Sequence, residues 1–232
     1  MIVYLCTDME GLAGVDSWNQ FCPGSPEEPA YRGARKLLTD EVNAAVAGCF
    51  DAGADEVRVL DGHGYNSGQN ILLDEVDPRA IVLRIDPRYP VRLPRLDQGV
   101  DVLGFIGQHA MAGTLNGLFD HTGNPKTICR VTVNGIEQGE PGMMALYAGH
   151  YGIPVFYGSG DQAFCEEVQR AFPHAGTTPT KRGTGWATCE LYPLQRVYQN
   201  IRRDIAQALR QAPHRSKAYR LEHPLQVRLE FA

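Results

Sequence analysis

MIVYLCTDMEGLAG, residues 1–14, opens as a buried β-strand and breaks off at two acids, Asp8 and Glu10. Side chains two residues apart along a strand point to the same face, so the two carboxylates converge where the strand ends. Carboxylates held side by side repel unless they share a proton or a cation, so the pair calls for a partner elsewhere in the chain.

Beyond this strand the pattern alternates. Helical apolar spacing in YRGARKLLTDEVNAAVAGCFDAG predicts a helix over about 31–52, with Gly53 as its C-cap. EVRVLDGH, AIVLRI and VLGFIGQHA are short β-branched apolar runs of the kind that fill a sheet covered on both faces. In ICRVTVNGIEQG, Asn134-Gly135 between alternating segments predicts a hairpin that interrupts the alternation. PGMMALYAGHYG reads as a helix, IPVFYGSGD as a strand, QAFCEEVQRAF as a helix, LQRVYQNIRRDIAQALRQ as a long amphipathic helix and LQVRLEFA as a closing strand. FCPGSPEEP reads as a surface loop, and FPHAGTTPTKRGTGWAT as a connector with little regular structure. The expected class is α/β: a mostly parallel sheet with helices on both faces, a β-hairpin insertion and a C-terminal α/β segment. Residues 1–232 are expected to form one domain, with 175–232 as a candidate smaller appended subdomain.

Composition narrows the function. With 22 Lys+Arg against 27 Asp+Glu there is no basic excess for gripping nucleic acid, which is excluded as a partner. The N-terminus lacks a basic leader, and no apolar run approaches the roughly 20 residues of a membrane span. A soluble, cytoplasmic protein without a membrane partner is expected. Six scattered cysteines without a C-x-x-C pair suit reduced thiols, so a metal site would use harder ligands.

Sheets of this class place ligands beyond the carboxyl ends of their strands. Asp8 and Glu10 end the first strand, His63 ends EVRVLDGH, and His109 ends VLGFIGQHA, so three strands deliver metal-competent groups to one rim. Glu140, in QGEPGMMAL, fits a helix cap with Pro141 at the first helical position, and faces the same edge if that helix packs on the sheet. Two imidazoles and three carboxylates suit zinc or a similar divalent ion. If Asp8 bridges two ions, each receives three protein ligands and keeps a position for water, the mark of a catalytic site.

TDMEG with LAG, DGHG with QNI, GQHA, and QGEPG ahead of AGHYGIPVFYGSGD resemble the D-aminopeptidase family of dinuclear zinc peptidases, family M55, through nearly the whole chain. The resemblance implies two Zn2+ ions per chain on Asp8, Glu10, His63, His109 and Glu140, and a catalytic role for His121 in GLFDHTG. It implies an aminopeptidase that hydrolyses short peptides, with D-amino acids at the N-terminus, through a metal-activated water. It also implies a homo-oligomeric ring, often a decamer, for which the loop FCPGSPEEPAY and the connector GTTPTKRGTGW offer aromatic and Pro contacts. The alternatives are a metal-dependent hydrolase of another small amide and a nucleotide-binding module using YGSGD, although neither G-x-G-x-x-G nor a Walker pattern is present.

Cys6 stands where the family usually has serine, Gln162 where a second acid is common, and Met144 where asparagine is expected. None is a candidate ligand. Family members also continue beyond the strand that ends at Ala232, which implies a smaller oligomer or a more open pocket for a chain that stops there. Taken singly, each candidate has an ordinary reading. Acids before glycine form turns, a histidine after a strand is a hydrogen-bonded rim residue, and an acid at a helix start is favoured by the helix dipole. Their convergence is what favours metal. His150, His174, His214 and His223 have no partner pattern and read as structural or surface residues, and Cys6 reads as a small buried hydrophobe.

Overall fold

The computed structural model describes residues 1–64, 69–85 and 93–232. In chain order its elements are β1 (Ile2–Thr7), α1 (Pro29–Asp51), β2 (Glu56–Leu60), β3 (Ala80–Leu83), β4 (Val102–Gln108), β5 (Ile128–Val133) and β6 (Ile136–Glu137). They continue with α2 (Glu140–His150), β7 (Val155–Asp161), α3 (Gln162–Ala171), β8 (Gly176–Gly185), β9 (Thr188–Leu191), α4 (Leu194–Arg215) and β10 (Val227–Phe231).

The main sheet has seven strands in the order β3-β2-β1-β4-β7-β8-β9. Neighbours pair parallel except β8 and β9. Odd-numbered positions of β1, Val3 and Leu5, face one core with Leu38, Val42 and Val46 of α1 and Ile201, Ile205 and Leu209 of α4. Even-numbered positions, Tyr4 and Cys6, face a second core with Ala145 and Ala148 of α2 and Phe164 and Val168 of α3. A strand buried on both faces can be apolar throughout, which is why MIVYL does not alternate. The expected α/β class with helices on both faces is what the chain adopts.

The hairpin forms at Asn134-Gly135, both with positive φ (52° and 77°), as a tight two-residue turn requires. β10 then pairs antiparallel with β5 to make a separate three-stranded sheet, β10-β5-β6. Gly53 sits just past α1 in the left-handed region (φ 88°), the expected stop. Among the described residues no helix is long and apolar enough to cross a membrane.

Three local expectations are corrected. The connector over 172–188 is in large part sheet: residues 176–185 form β8, and β9 begins at Thr188. Its Gly, Pro and Lys content lowers intrinsic strand propensity against the opposite preference of its Thr residues, and tertiary burial decides the outcome: Thr178, Thr180 and Lys181 are fully buried. Phe21 and Tyr31, expected to be exposed contacts, are at most 1% exposed and belong to the core. The cap of α2 is Gly139, not Glu140, which instead occupies the first turn.

Candidate metal centre

Strand order reverses around β1, with β2 on one side and β4 on the other, and the crevice at such a reversal is where open α/β sheets bind ligands. Asp8 and Glu10 leave the end of β1, His63 lies three residues past β2, and His109 follows β4 directly. The bend that aims His109 is built into β4: Gly107 has φ 69°, and pairing with β7 shifts register between Phe105 and Gln108. Glu140 enters from the first turn of α2, and His121 from the loop between β4 and β5.

These six side chains meet. His63 Nδ1 lies 2.8 Å from Asp8 Oδ1 and 3.3 Å from Glu10 Oε2. His109 Nε2 lies 3.6 Å from Asp8 Oδ2 and 3.8 Å from Glu140 Oε1. His121 Nε2 lies 3.9 Å from Glu140 Oε1, and its ring stacks on His109 with centroids 3.9 Å apart. Two three-ligand groups, Asp8–Glu10–His63 and Asp8–His109–Glu140, share Asp8, and Glu10, His109 and His121 form a third.

A cation fits this arrangement better than hydrogen bonds do. His109 Nδ1 donates to the Ala110 carbonyl at 2.9 Å, so Nε2 is the ring atom turned into the cluster. That Nε2 is buried and has no hydrogen-bond partner among the described residues. Ligand atoms about 2.0–2.1 Å from one tetrahedral zinc stand roughly 3.3 Å apart, close to the 3.3–3.8 Å of the His63–Glu10, His109–Asp8 and His109–Glu140 contacts, while His63 and Asp8 stand closer, at 2.8 Å. His63 Nε2 likewise donates to the Phe21 carbonyl at 2.8 Å, leaving Nδ1 for the acids.

The electrostatics show the same demand for positive charge. Burial, then the neighbouring Glu10 carboxylate, pushes Asp8 up to about 7. Burial works the same way on Glu10, but the charge and hydrogen bond of His63 overcome it and hold Glu10 well below the usual carboxylate range. Burial opposes charge on His63 and His109, yet the carboxylates prevail, raising His63 well above its ordinary value and His109 to about 9. Protons on two imidazoles therefore do what an ion between the ligands would do. His121 goes the other way: burial and then the His109 charge lower it. Its Nδ1 donates to the Phe119 carbonyl at 2.9 Å, so the neutral ring turns a bare Nε2 towards Glu140.

The surroundings explain motifs that spacing alone left without a role. Asp61 of DGHG accepts from the Asn70 and Ile71 N–H groups (2.8 and 2.9 Å) and from Asn70 Nδ2 (2.8 Å), and Asn70 Nδ2 also reaches the His63 carbonyl at 3.1 Å. That network fixes the loop carrying His63. Lys181 of β8, wholly missed by sequence reasoning, donates to carbonyls of the turn after β1. The only signal was period-two alternation at Thr178 and Thr180 just before it. Cys6 is buried, as expected, and burial pushes its thiol far up. Met144 is half-buried, and Gln162 spans to Glu166 at the start of α3. His150, His174, His214 and His223 are exposed. YGSGD builds no phosphate cradle: Asp161 caps α3, taking the Phe164 N–H at 2.9 Å, and its carboxylate occupies the place an anion would need.

The family model described as D-aminopeptidase, peptidase family M55, matches residues 1–232. A D-aminopeptidase of Bacillus subtilis (strain 168) is 28% identical over 182 residues, or 78% of this chain and 64% of that protein. The match thus spans just under two thirds of that relative's length. A solved structure, the Zn-dependent D-aminopeptidase DppA from Bacillus subtilis, described as a self-compartmentalizing protease, superposes with a TM-score of 0.91 at 25% identity, over 100% of this chain and 82% of that one.

Proposed function

This chain belongs to the D-aminopeptidase family, peptidase family M55, and from that premise we propose that it is a zinc-dependent aminopeptidase acting on short peptides with D-amino acids at the N-terminus. One observation carries the reading: two three-ligand groups share Asp8, and the buried Nε2 of His109 faces that cluster with no hydrogen-bond partner among the described residues. Asp8, Glu10 and His63 would hold one zinc ion, and Asp8, His109 and Glu140 the other. Two zinc ions there would supply an acidified water and an electrophile for the scissile carbonyl.

The chain's own residues would do the rest. Asp8 and Glu10, kept ionised once positive charge is in place, hold the centre together. Neutral His121 has a free Nε2, tied in orientation through its Nδ1 bond to Phe119. It can take the proton that the attacking water sheds and return it to the departing amine. His63 and His109 keep their second ring nitrogens on main-chain carbonyls, so they cannot swing away as charge changes hands.

Residues 1–232 act as one domain in this reading, since β8 and β9 complete the sheet and α4 packs against α1. Subunits would associate into a homo-oligomer that encloses the sites, since the solved relative is described as self-compartmentalizing; the working number of ten comes from the family resemblance alone. Six unpaired cysteines fit a reducing, cytoplasmic setting.

Zinc analysis together with matched D- and L-dipeptides tests the activity. About two zinc equivalents per chain and faster release of the N-terminal D-residue are expected. Turnover of non-peptide amides with inactive peptides would reassign the substrate, and tight nucleotide binding without zinc would end the hydrolase reading.

A further inference from the structure

Lys181 points inward from β8 and is 0% exposed, a place an ammonium tolerates only when fully hydrogen-bonded. Its Nζ donates to the carbonyls of Glu10 (2.5 Å), Leu12 (3.0 Å) and Val15. All three partners can only accept, so serving them takes three N–H bonds, which an ammonium has and a neutral amine lacks. Thr180, next to it, places its hydroxyl 2.5 Å from the Gly11 carbonyl. From α1 the buried Glu41 accepts the Ala13 N–H at 2.6 Å. The turn after β1 is thereby gripped from two elements that give the metal cluster no ligand.

We propose that Lys181 is a positioning residue for the metal centre, its ammonium locking the turn after β1 so that Asp8 and Glu10 already face His63 before an ion arrives. Anchoring the Glu10 carbonyl fixes the origin of the Glu10 side chain, and the turn it anchors begins two residues after Asp8. Burial works against that ammonium and lowers it to about 8, while the Asp161, Glu41 and Glu10 carboxylates favour its charge; the three carbonyls that only accept are what hold it in place. Glu140 and His109 hang from α2 and β4, outside this grip, so the ion site they share with Asp8 depends on Lys181 far less. The inference rests on the dinuclear reading of the centre.

The test titrates zinc into stripped wild-type, Lys181→Met and Lys181→Gln chains by calorimetry, with circular dichroism confirming the fold. Wild type should take two equivalents. Lys181→Met should lose tenfold or more in affinity at one site and change less than about twofold at the other. Lys181→Gln, which keeps two N–H donors, should fall between, and it carries the test if the Met variant does not fold. Combined with His63→Ala, Lys181→Met should add little, whereas combined with His109→Ala it should remove most remaining binding, because the coupling lies on the His63 side. Unchanged zinc affinity with a lowered Tm would reduce Lys181 to a core prop, and equal loss at both sites would also overturn the proposal. A wild-type chain that takes up no zinc sinks the dinuclear reading along with it, and the wild-type titration alone reveals that case.

Discussion

Asp8 is the residue on which the two three-ligand groups depend, one carboxylate oxygen 2.8 Å from His63 and the other 3.6 Å from His109. A carboxylate presenting its oxygens to different partners is suited to bridge, and removing it should empty both sites. Asp8→Ala is therefore expected to lose both zinc equivalents, while His63→Ala and His109→Ala each lose chiefly one, as metal analysis of purified chains will show. His121→Ala belongs to the same series. Its ring is neutral and oriented by Phe119, so it should keep both ions while kcat falls about 10²–10⁴-fold with KM nearly unchanged, the range for a lost acid–base group. Zinc loss in that chain would make His121 a ligand, an outcome its closeness to Glu10 and His109 makes worth measuring.

At the scale of elements, the centre depends on how closely β4 and the turn after β1 pass one another. A Cβ on Gly11 would stand 1.9 Å from the Gln108 carbonyl oxygen, and one on Gly107 would stand 2.5 Å from the Asp8 carbonyl oxygen. Backbone meets backbone there, so no flexible side chain can give way. Gly11→Ala should cost roughly 2–4 kcal/mol of stability, as overpacking and strain at a core site do, and should weaken zinc binding as well. Gly53→Ala is the contrast: nothing lies within 4 Å of its Cβ position, and only its φ of 88° resists. That variant should cost about 1–2 kcal/mol and leave zinc binding alone. Denaturant titration of both chains decides, and a Gly11→Ala chain as stable as wild type would refute the crossing argument.

For the whole molecule, the three-stranded sheet stands out. Val227, Leu229 and Phe231 alternate along β10 and are 57%, 45% and 68% exposed, and Ile136 of β6 is 47% exposed in the same sheet. Exposed apolar side chains along an edge strand such as β10 mark contact surfaces, and a second copy of the chain is the occupant the proposed assembly calls for. Light scattering should give a mass several times that of one chain, and Leu229→Asp should shift it downward. A wild-type monomer with full peptidase activity would show that enclosure is dispensable.

The sequence by itself determined the sheet class and the rim. Apolar runs that end abruptly at Asp8, His63 and His109 mark strand ends, and strand ends in this class of sheet share an edge, so the meeting of these side chains at one rim was legible without coordinates. Glu140 was legible as a helix start, although its cap proved to be Gly139. What the sequence left open was everything decided by contacts between distant residues. β8 read as a connector because its Gly, Pro and Lys residues mask the strand preference of its Thr residues. It is a strand because Lys181 finds three carbonyls some 170 positions earlier in the chain and Thr180 finds a fourth. Phe21 and Tyr31 looked like surface aromatics for the same reason: their burial is supplied by partners that no local pattern announces. Local periodicity records which face of an element is apolar. Only the packed structure decides which polar groups are paired inside, because that depends on long-range distances and not on neighbours in sequence.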